Sequence, residues 1–137
     1  MLRGKLIHPQ ILEALGRAGH GSKVLIADGN YPFATGVAPR ATQVFLNLSP
    51  GLVSVTDVLR VLVDAVPVEA AAVMMPPEET PPIFAEFSQL LPAEVGLEPL
   101  DRFAFYEASK DDNVALLIAT GEERVYANIL LTIGVVK

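Results

Sequence analysis

No cysteine occurs among the 137 residues. That excludes a disulfide framework, a thiolate nucleophile and a cysteine-ligated zinc site. Histidine is scarce as well. His8 and His20 stand alone and form neither a His-Glu-x-x-His pair nor a metal-binding cluster, so no metal site is expected. Ten Lys and Arg face 16 Asp and Glu, for a net charge of −6, and no basic run exists. Nucleic-acid partners are therefore not expected, because that binding rests on cations neutralising phosphates. The longest apolar run, Val114 to Thr120, is strand-sized, well short of the roughly 20 residues that cross a bilayer. The first residues, Met1 to Pro9, carry Arg3 and Lys5 without an apolar segment behind them. They do not read as a secretory signal, and the expected location is the cytoplasm. Neither phosphate-loop nor dinucleotide glycine pattern is present, and no serine sits in a nucleophile elbow.

What the chain does have is apolar content. It is 51% hydrophobic, with a mean hydropathy of +0.42, enough for a sizeable core in one domain covering residues 1–137. On a chain without a membrane span, surplus apolar surface commonly lies between subunits, so a homo-oligomer is expected.

Periodicity and punctuation predict the elements. Residues 8–18 read as a helix, with Pro9 in its first turn, Ile11, Leu12, Leu15 and Ala18 on one face, and Gly19 at its end. Val24 to Ala27 is a continuous apolar run of the kind buried parallel strands use. Val44 to Leu46 is a second short strand. Ser54 and Asp57 form a capping-box pattern at the start of a helix that Pro67 ends. Val68 to Met75 reads as a strand, and a helix capped by Thr80 and Pro81 follows. A short strand fits within 92–99, and Asp101 caps a short helix through Ser109. Val114 to Ala119 and Tyr126 to Ile133 read as the last strands. The short turn between these two favours an antiparallel pair. The alternation predicts an α/β layered domain, with helices flanking a mixed, largely parallel sheet.

The stretch from Gly19 to Pro32 gathers the candidate chemistry. His20 lies between two glycines just past a helix end. Glycines leave the ring uncovered, and an imidazole there can exchange protons near neutral pH. The plainer alternative is a loop histidine bonded to a carbonyl. Asp28 ends a buried strand, where ligands of open α/β sheets collect; the alternative is a local turn with Gly29. Arg102 precedes Phe103, Phe105 and Tyr106, a combination that suits a sugar's hydroxyls and C–H faces but equally a core aromatic cluster beside a solvated arginine. Tyr126 and Asn128, two apart on an expected strand, would share a face.

Taken together, Gly19-His20-Gly21, the strand ending in Asp28, Arg102-Phe103-Ala104-Phe105-Tyr106-Glu107, Thr120-Gly121-Glu122 and Tyr126-Ala127-Asn128-Ile129-Leu130-Leu131 resemble the D-ribose pyranase / L-fucose mutarotase family over essentially the whole chain. The run from Arg102 to Glu107 looks more like the fucose mutarotase branch. The resemblance implies interconversion of anomers or ring forms of a free monosaccharide, without metal or organic cofactor. It also implies rings of subunits, often decamers, with sugar sites near subunit contacts. It maps the acid/base histidine onto His20, a sugar-binding aspartate onto Asp28, and further sugar-binding residues onto Arg102, Tyr126 and Asn128. Ser22 departs from the acidic residue usual after Gly-His-Gly. Asp28-Gly29-Asn30 departs from the fucose branch's Asp-Ala-His or Asp-Ala-Asn, and the loop from Lys110 to Asn113 is slightly longer.

On this reading His20 is the proton donor and Asp28 binds hydroxyls or joins the proton relay. Arg102 and Asn128 fix hydroxyls, and Tyr126 binds or serves as the second proton group. The competing function is a non-catalytic, oligomeric sugar-binding protein associated with uptake. One geometric question follows. An extended strand over 23–27 would hold His20 and Asp28 on the order of 20 Å apart. Either Gly21 and Ser22 fold the chain back, or a site draws the two residues from two subunits.

Overall fold

A computed structural model describes all residues from Met1 to Lys137. Ten elements follow in order: α1 (Pro9–Arg17), β1 (Lys23–Ala27), β2 (Thr42–Phe45), α2 (Val55–Ala65), β3 (Val68–Met74), α3 (Ile83–Leu90), β4 (Leu97–Leu100), α4 (Arg102–Ser109), β5 (Val114–Ala119) and β6 (Ile129–Ile133). The six strands form one sheet in the order β2-β5-β1-β6-β3-β4. β1 pairs parallel with β5, β5 with β2, and β3 with β4; β6 lies between β1 and β3, antiparallel to both. Five strands thus point one way and β6 alone points back. The sheet is mixed and largely parallel, as the sequence pattern predicts.

The reason for the mixture differs from the expected one. β5 and β6 do not form a hairpin: β1 separates them. The segment after β5 instead crosses over the end of β1 before turning into the sheet. The last strand also starts at Ile129, not Tyr126. Tyr126 has a φ of 55°, in the left-handed region that a continuing strand does not use.

Both faces of the sheet are covered, which explains why β1 and β5 lack apolar–polar alternation. Val24 and Ile26 face one core with Leu116, Ile118, Ile129 and Leu131, under α1, α2 and α3. Leu25, Ala27, Leu117 and Leu130 face the other, under α4 and the loop that carries Tyr31, Val37 and Ala38. Phe87 of α3 and Phe105 of α4 are completely buried on opposite sides.

The helix caps follow the sequence signals with one exception. The His8 side chain accepts from the Ile11 amide at α1. Ser54 and Asp57 complete a reciprocal capping box at α2, and Asp101 accepts from the Ala104 amide at 2.9 Å at α4. Neither Thr80 nor Pro81 caps α3; Pro82 occupies the cap position and provides no side-chain bond. A proline there has no side-chain acceptor to offer, and α3 is held instead by burying Ile83, Phe84 and Phe87.

One glycine in the crossing segment is sterically required. A Cβ on Gly121 would collide with the Leu52 and Ser49 carbonyl oxygens, because the segment presses against the 49–52 turn. Gly121 N also donates to Val53 O at 3.0 Å, while its own carbonyl accepts from Gly51 N at 2.7 Å. Gly121→Ala is expected to lower stability by about 1–3 kcal/mol through this overpacking, measured by urea denaturation.

Candidate functional site

In this topology the carboxyl ends of β1, β3, β4 and β5 and the amino end of β6 share one edge of the sheet. Residues just beyond those ends therefore meet although they are distant in sequence, at the place where open α/β sheets collect ligands. They line a cavity of about 190 Å³. Asp28 comes from the end of β1 and Met74 from the end of β3. Arg102 and Tyr106 come from α4, which follows β4, and Val125, Tyr126 and Asn128 from the approach to β6; Asn30 and Tyr31 complete the wall. The volume lies below the ~300–1,000 Å³ typical of sites for drug-sized ligands.

Asp28 is the centre of this arrangement. It is 3% exposed. The Asn30 amide donates to its Oδ1 at 3.0 Å and the Ala127 amide to its Oδ2 at 3.1 Å, while its own amide donates to Asn128 Oδ1 at 2.7 Å. The β1–β6 ladder is in effect continued past Ile26 and Ile129 by side chains. Burial pushes the Asp28 carboxyl above the ordinary aspartate range. The amides of Ala127, Asn30 and Tyr31 pull it partly back, and the Glu122 carboxylate adds to the rise. Beside it, burial pushes the Tyr31 phenol up to about 12. That hydroxyl donates to Gly36 O at 2.6 Å and packs edge-on to Phe105 and Tyr106, so Tyr31 is a wall of the site.

Arg102 stands exposed at the rim, its guanidinium carbon 4.9 Å from the centroid of the Phe103 ring. It makes no ion pair within the chain. Of the aromatic run that follows, Phe103 carries the arginine, Phe105 fills the core and Tyr106 lines the cavity. Tyr126 and Asn128 do border one cavity, but through the turn at Tyr126 rather than through strand alternation.

His20 is elsewhere. Gly21 N donates to Ile133 O and Lys23 N to Asn113 O, so the chain runs straight from the histidine loop into the amino end of β1 and does not fold back. Asp28 follows its carboxyl end, five strand residues away, a span of about 16 Å. At its own edge His20 Nε2 lies 3.1 and 3.2 Å from the two carboxylate oxygens of Glu69. Of the two geometric alternatives, folding back within one chain is therefore excluded.

Glu122 and Arg124, to which the sequence motifs assign no role, fasten the segment that leads into Val125 and Tyr126 of the cavity wall. Glu122 is 5% exposed, and Arg124 donates to its Oε1 from Nη2 at 2.6 Å and from Nε at 3.0 Å. Arg124 Nη1 also reaches Glu86 Oε2 of α3 at 2.6 Å, and the Glu122 carboxylate holds the guanidinium still more firmly in its charged form. The Glu122 carbonyl accepts from Gly29 N at 2.9 Å, and Thr120 Oγ1 donates to Ala27 O at 2.7 Å. The segment is thereby fastened to the end of β1 on one side and to α3 on the other. The only sequence signal for this was the local Gly-Glu-Glu-Arg charge pattern, which equally describes a solvated turn.

Two outcomes are expected. Arg124→Ala strands a buried carboxylate and should cost about 1–3 kcal/mol in a denaturant titration. Asp28 holds its proton to higher pH when folded than when unfolded. The folded state therefore loses stability as pH rises from about 4 through the raised value. Asp28→Asn removes that titration. Relative to wild type, its denaturant midpoint should climb over this window, read as urea curves between about pH 3 and 7.

Comparison with known proteins agrees with the architecture. The chain matches the model of the RbsD / FucU transport protein family over residues 1–136. It is 29% identical to a fucose mutarotase of Danio rerio, covering 96% of this chain and 90% of that one. It is 31% identical to a D-ribose pyranase of Exiguobacterium sibiricum over 99% of each. Among solved structures, Bacillus subtilis RbsD complexed with D-ribose superposes with a TM-score of 0.86 at 28% identity over the full length of both chains. The fucose mutarotase of Streptococcus pneumoniae in complex with L-fucose superposes at 0.82 and 27%, again over both full lengths. A match across nearly the whole chain, with the same fold at this identity, makes the chain a member of the RbsD / FucU family.

Proposed function

We propose that this protein is a monosaccharide mutarotase, an isomerase that interconverts the anomers or ring forms of a free, fucose-like sugar by general acid/base ring opening and closing. The observation that carries the reading is the small cavity at the carboxyl edge of the sheet. In it, a buried carboxyl of raised pKa faces an unpaired guanidinium, an asparagine and a tyrosine. Relatives named for both activities, and neighbours solved with D-ribose and L-fucose, support it.

The chemistry requires two proton transfers. A donor protonates the ring oxygen as the bond from the anomeric carbon to that oxygen breaks, and a base takes the proton of the anomeric hydroxyl. The carbonyl then turns, the ring closes on its other face, and both protons return. We assign the base to Asp28, whose raised pKa makes its carboxylate a stronger acceptor than an ordinary aspartate. Two oxygens already fixed by the Asn30 and Ala127 amides hold its direction without consuming all its lone pairs. Arg102 and Asn128 fix hydroxyls. Tyr126 lies against the sugar and is the alternative second proton group.

We assign the donor to His20 of a second subunit, since one chain separates the two residues by the length of β1. An assembly that juxtaposes opposite sheet edges of neighbouring copies would complete each site, in keeping with the ring, decameric in many relatives, that the resemblance implies. Val125 in the cavity wall and Phe45, Leu48, Leu52 and Phe103 elsewhere on the surface are exposed and supply apolar area for such contacts. We place the protein in the cytoplasm. The family description as transport proteins supports the second reading, a ring that binds sugar for uptake and catalyses nothing.

Exchange NMR on L-fucose, D-ribose and D-galactose separates the two. A mutarotase accelerates anomer or ring-form exchange of at least one of them; no acceleration across the panel leaves the binder. His20→Ala should cut the rate roughly 10²–10⁴-fold with sugar still bound. Arg102→Ala should weaken binding by about 1.5–3 kcal/mol. Mixed and reassembled His20→Ala and Asp28→Asn subunits should recover part of the activity that each lacks alone. Failure to do so would refute the two-subunit site.

A further inference from the structure

β3 carries one residue more than β6 can match. Val68 pairs with Ile133 and Ala70 with Thr132, so Glu69 is the extra residue of a bulge at the strand's start. Bulges re-aim side chains, and this one turns Glu69 to the sheet edge that holds the histidine loop. There its two oxygens bracket His20 Nε2 at 3.1 and 3.2 Å, across 49 residues of sequence. Both partners are anchored to the end of β6. Gly21 N donates to Ile133 O at 2.9 Å, and Gly134 N donates to Pro67 O at 2.8 Å. Gly134 is also what makes room: a Cβ there would lie 3.2 Å from Glu69 Cβ and 3.6 Å from Glu69 Oε2.

Stability gives little reason for this construction. The side chains of the pair remain 59% and 45% exposed, and a solvated pair of that kind contributes at most about 1 kcal/mol. What the contact does determine is the ring's orientation and tautomer.

We propose that Glu69 is the positioning residue of the proton donor, holding the His20 ring by Nε2–H so that Nδ1 is the nitrogen that exchanges protons with the sugar. This rests on His20 being the donor. A carboxylate can only accept, so the nitrogen it faces must carry hydrogen, and the lone pair of the neutral ring falls on Nδ1. Nδ1 has no hydrogen-bond partner within the chain. During ring opening the imidazolium passes its Nδ1 proton to the ring oxygen as the bond to the anomeric carbon breaks, and takes it back on closure; Nε2 keeps its proton throughout.

With only two histidines, long-range 1H–15N correlation spectra of the full-length protein resolve the His20 tautomer directly, His8→Gln serving for assignment. The wild type should show Nε2–H in its neutral form; a dominant Nδ1–H form would overturn the proposal without any variant at position 69. Glu69→Ala should mix the tautomers and lower kcat for exchange roughly tenfold or more with KM little changed. Glu69→Gln, whose amide oxygen still accepts from Nε2–H, should restore the tautomer and most of the rate. A Glu69→Ala protein that keeps both the tautomer and a kcat within about twofold of wild type, while His20→Ala is inactive, would overturn the role of Glu69 and leave His20 as donor. Undiminished exchange in His20→Ala would overturn both.

Discussion

The cavity edge of this protein's sheet depends on β6 running against the other five strands. In an all-parallel sheet the amino end of a strand lies at the edge opposite the carboxyl ends of its neighbours. Because β6 is reversed and seated between β1 and β3, its approach segment, with Tyr126, Ala127 and Asn128, arrives where β1 delivers Asp28. The two are joined by hydrogen bonds that carry the β1–β6 ladder past the last regular pair. One of the two amides on the carboxylate, and the acceptor of Asp28's own amide, thus come from a segment about a hundred residues away. A change in the direction of one strand would remove the cavity and leave Asp28 as a turn residue.

The same crossing accounts for the electrostatics. The chain between β5 and β6 must pass over the end of β1, and it does so in contact with backbone: Gly121 against the 49–52 turn, Thr120 and Glu122 against Ala27 and Gly29. A segment this tightly held buries Glu122, and a buried carboxylate needs a cation. Arg124 is the cation, and through Glu86 it links the crossing to α3. Glu122 still contributes to raising the Asp28 carboxyl, so a residue that serves the architecture also adjusts the site.

The other end of the sheet is built with equal economy and opposite character. There the groups are exposed, and the fixed contact is between two side chains rather than between side chain and backbone. His20 and Glu69 are held by a glycine-flanked loop and a bulge, both anchored to the last residues of β6. One strand therefore organises both edges, a buried carboxyl at one and an exposed imidazole at the other, separated by the length of β1. That separation is the reason the proposed chemistry calls for two copies of the chain.

Much was legible in the amino-acid sequence alone, wherever a local rule applied. Continuous apolar runs marked strands buried on both faces, the Ser54–Asp57 box and Asp101 marked helix starts, and the residue types able to handle a sugar were visible as types. Local rules failed where distant segments decide. The short connection after β5 suggested a hairpin, but β1 competes successfully for both neighbours and sends β6 to its far side. Alternation suggested that Tyr126 belonged to a strand, but the crossing forces a left-handed turn there. Glu122 and Arg124 are local charges that only burial makes a pair, and Glu69 is a charge in an apolar segment that only the bulge aims at His20. By itself the sequence determined which segments are strands and helices and which chemical groups are available, because those follow from spacing and composition within a few residues. Only the tertiary structure decided which groups meet, because strand order and direction depend on how the sheet buries both faces at once, and no window of sequence contains that constraint.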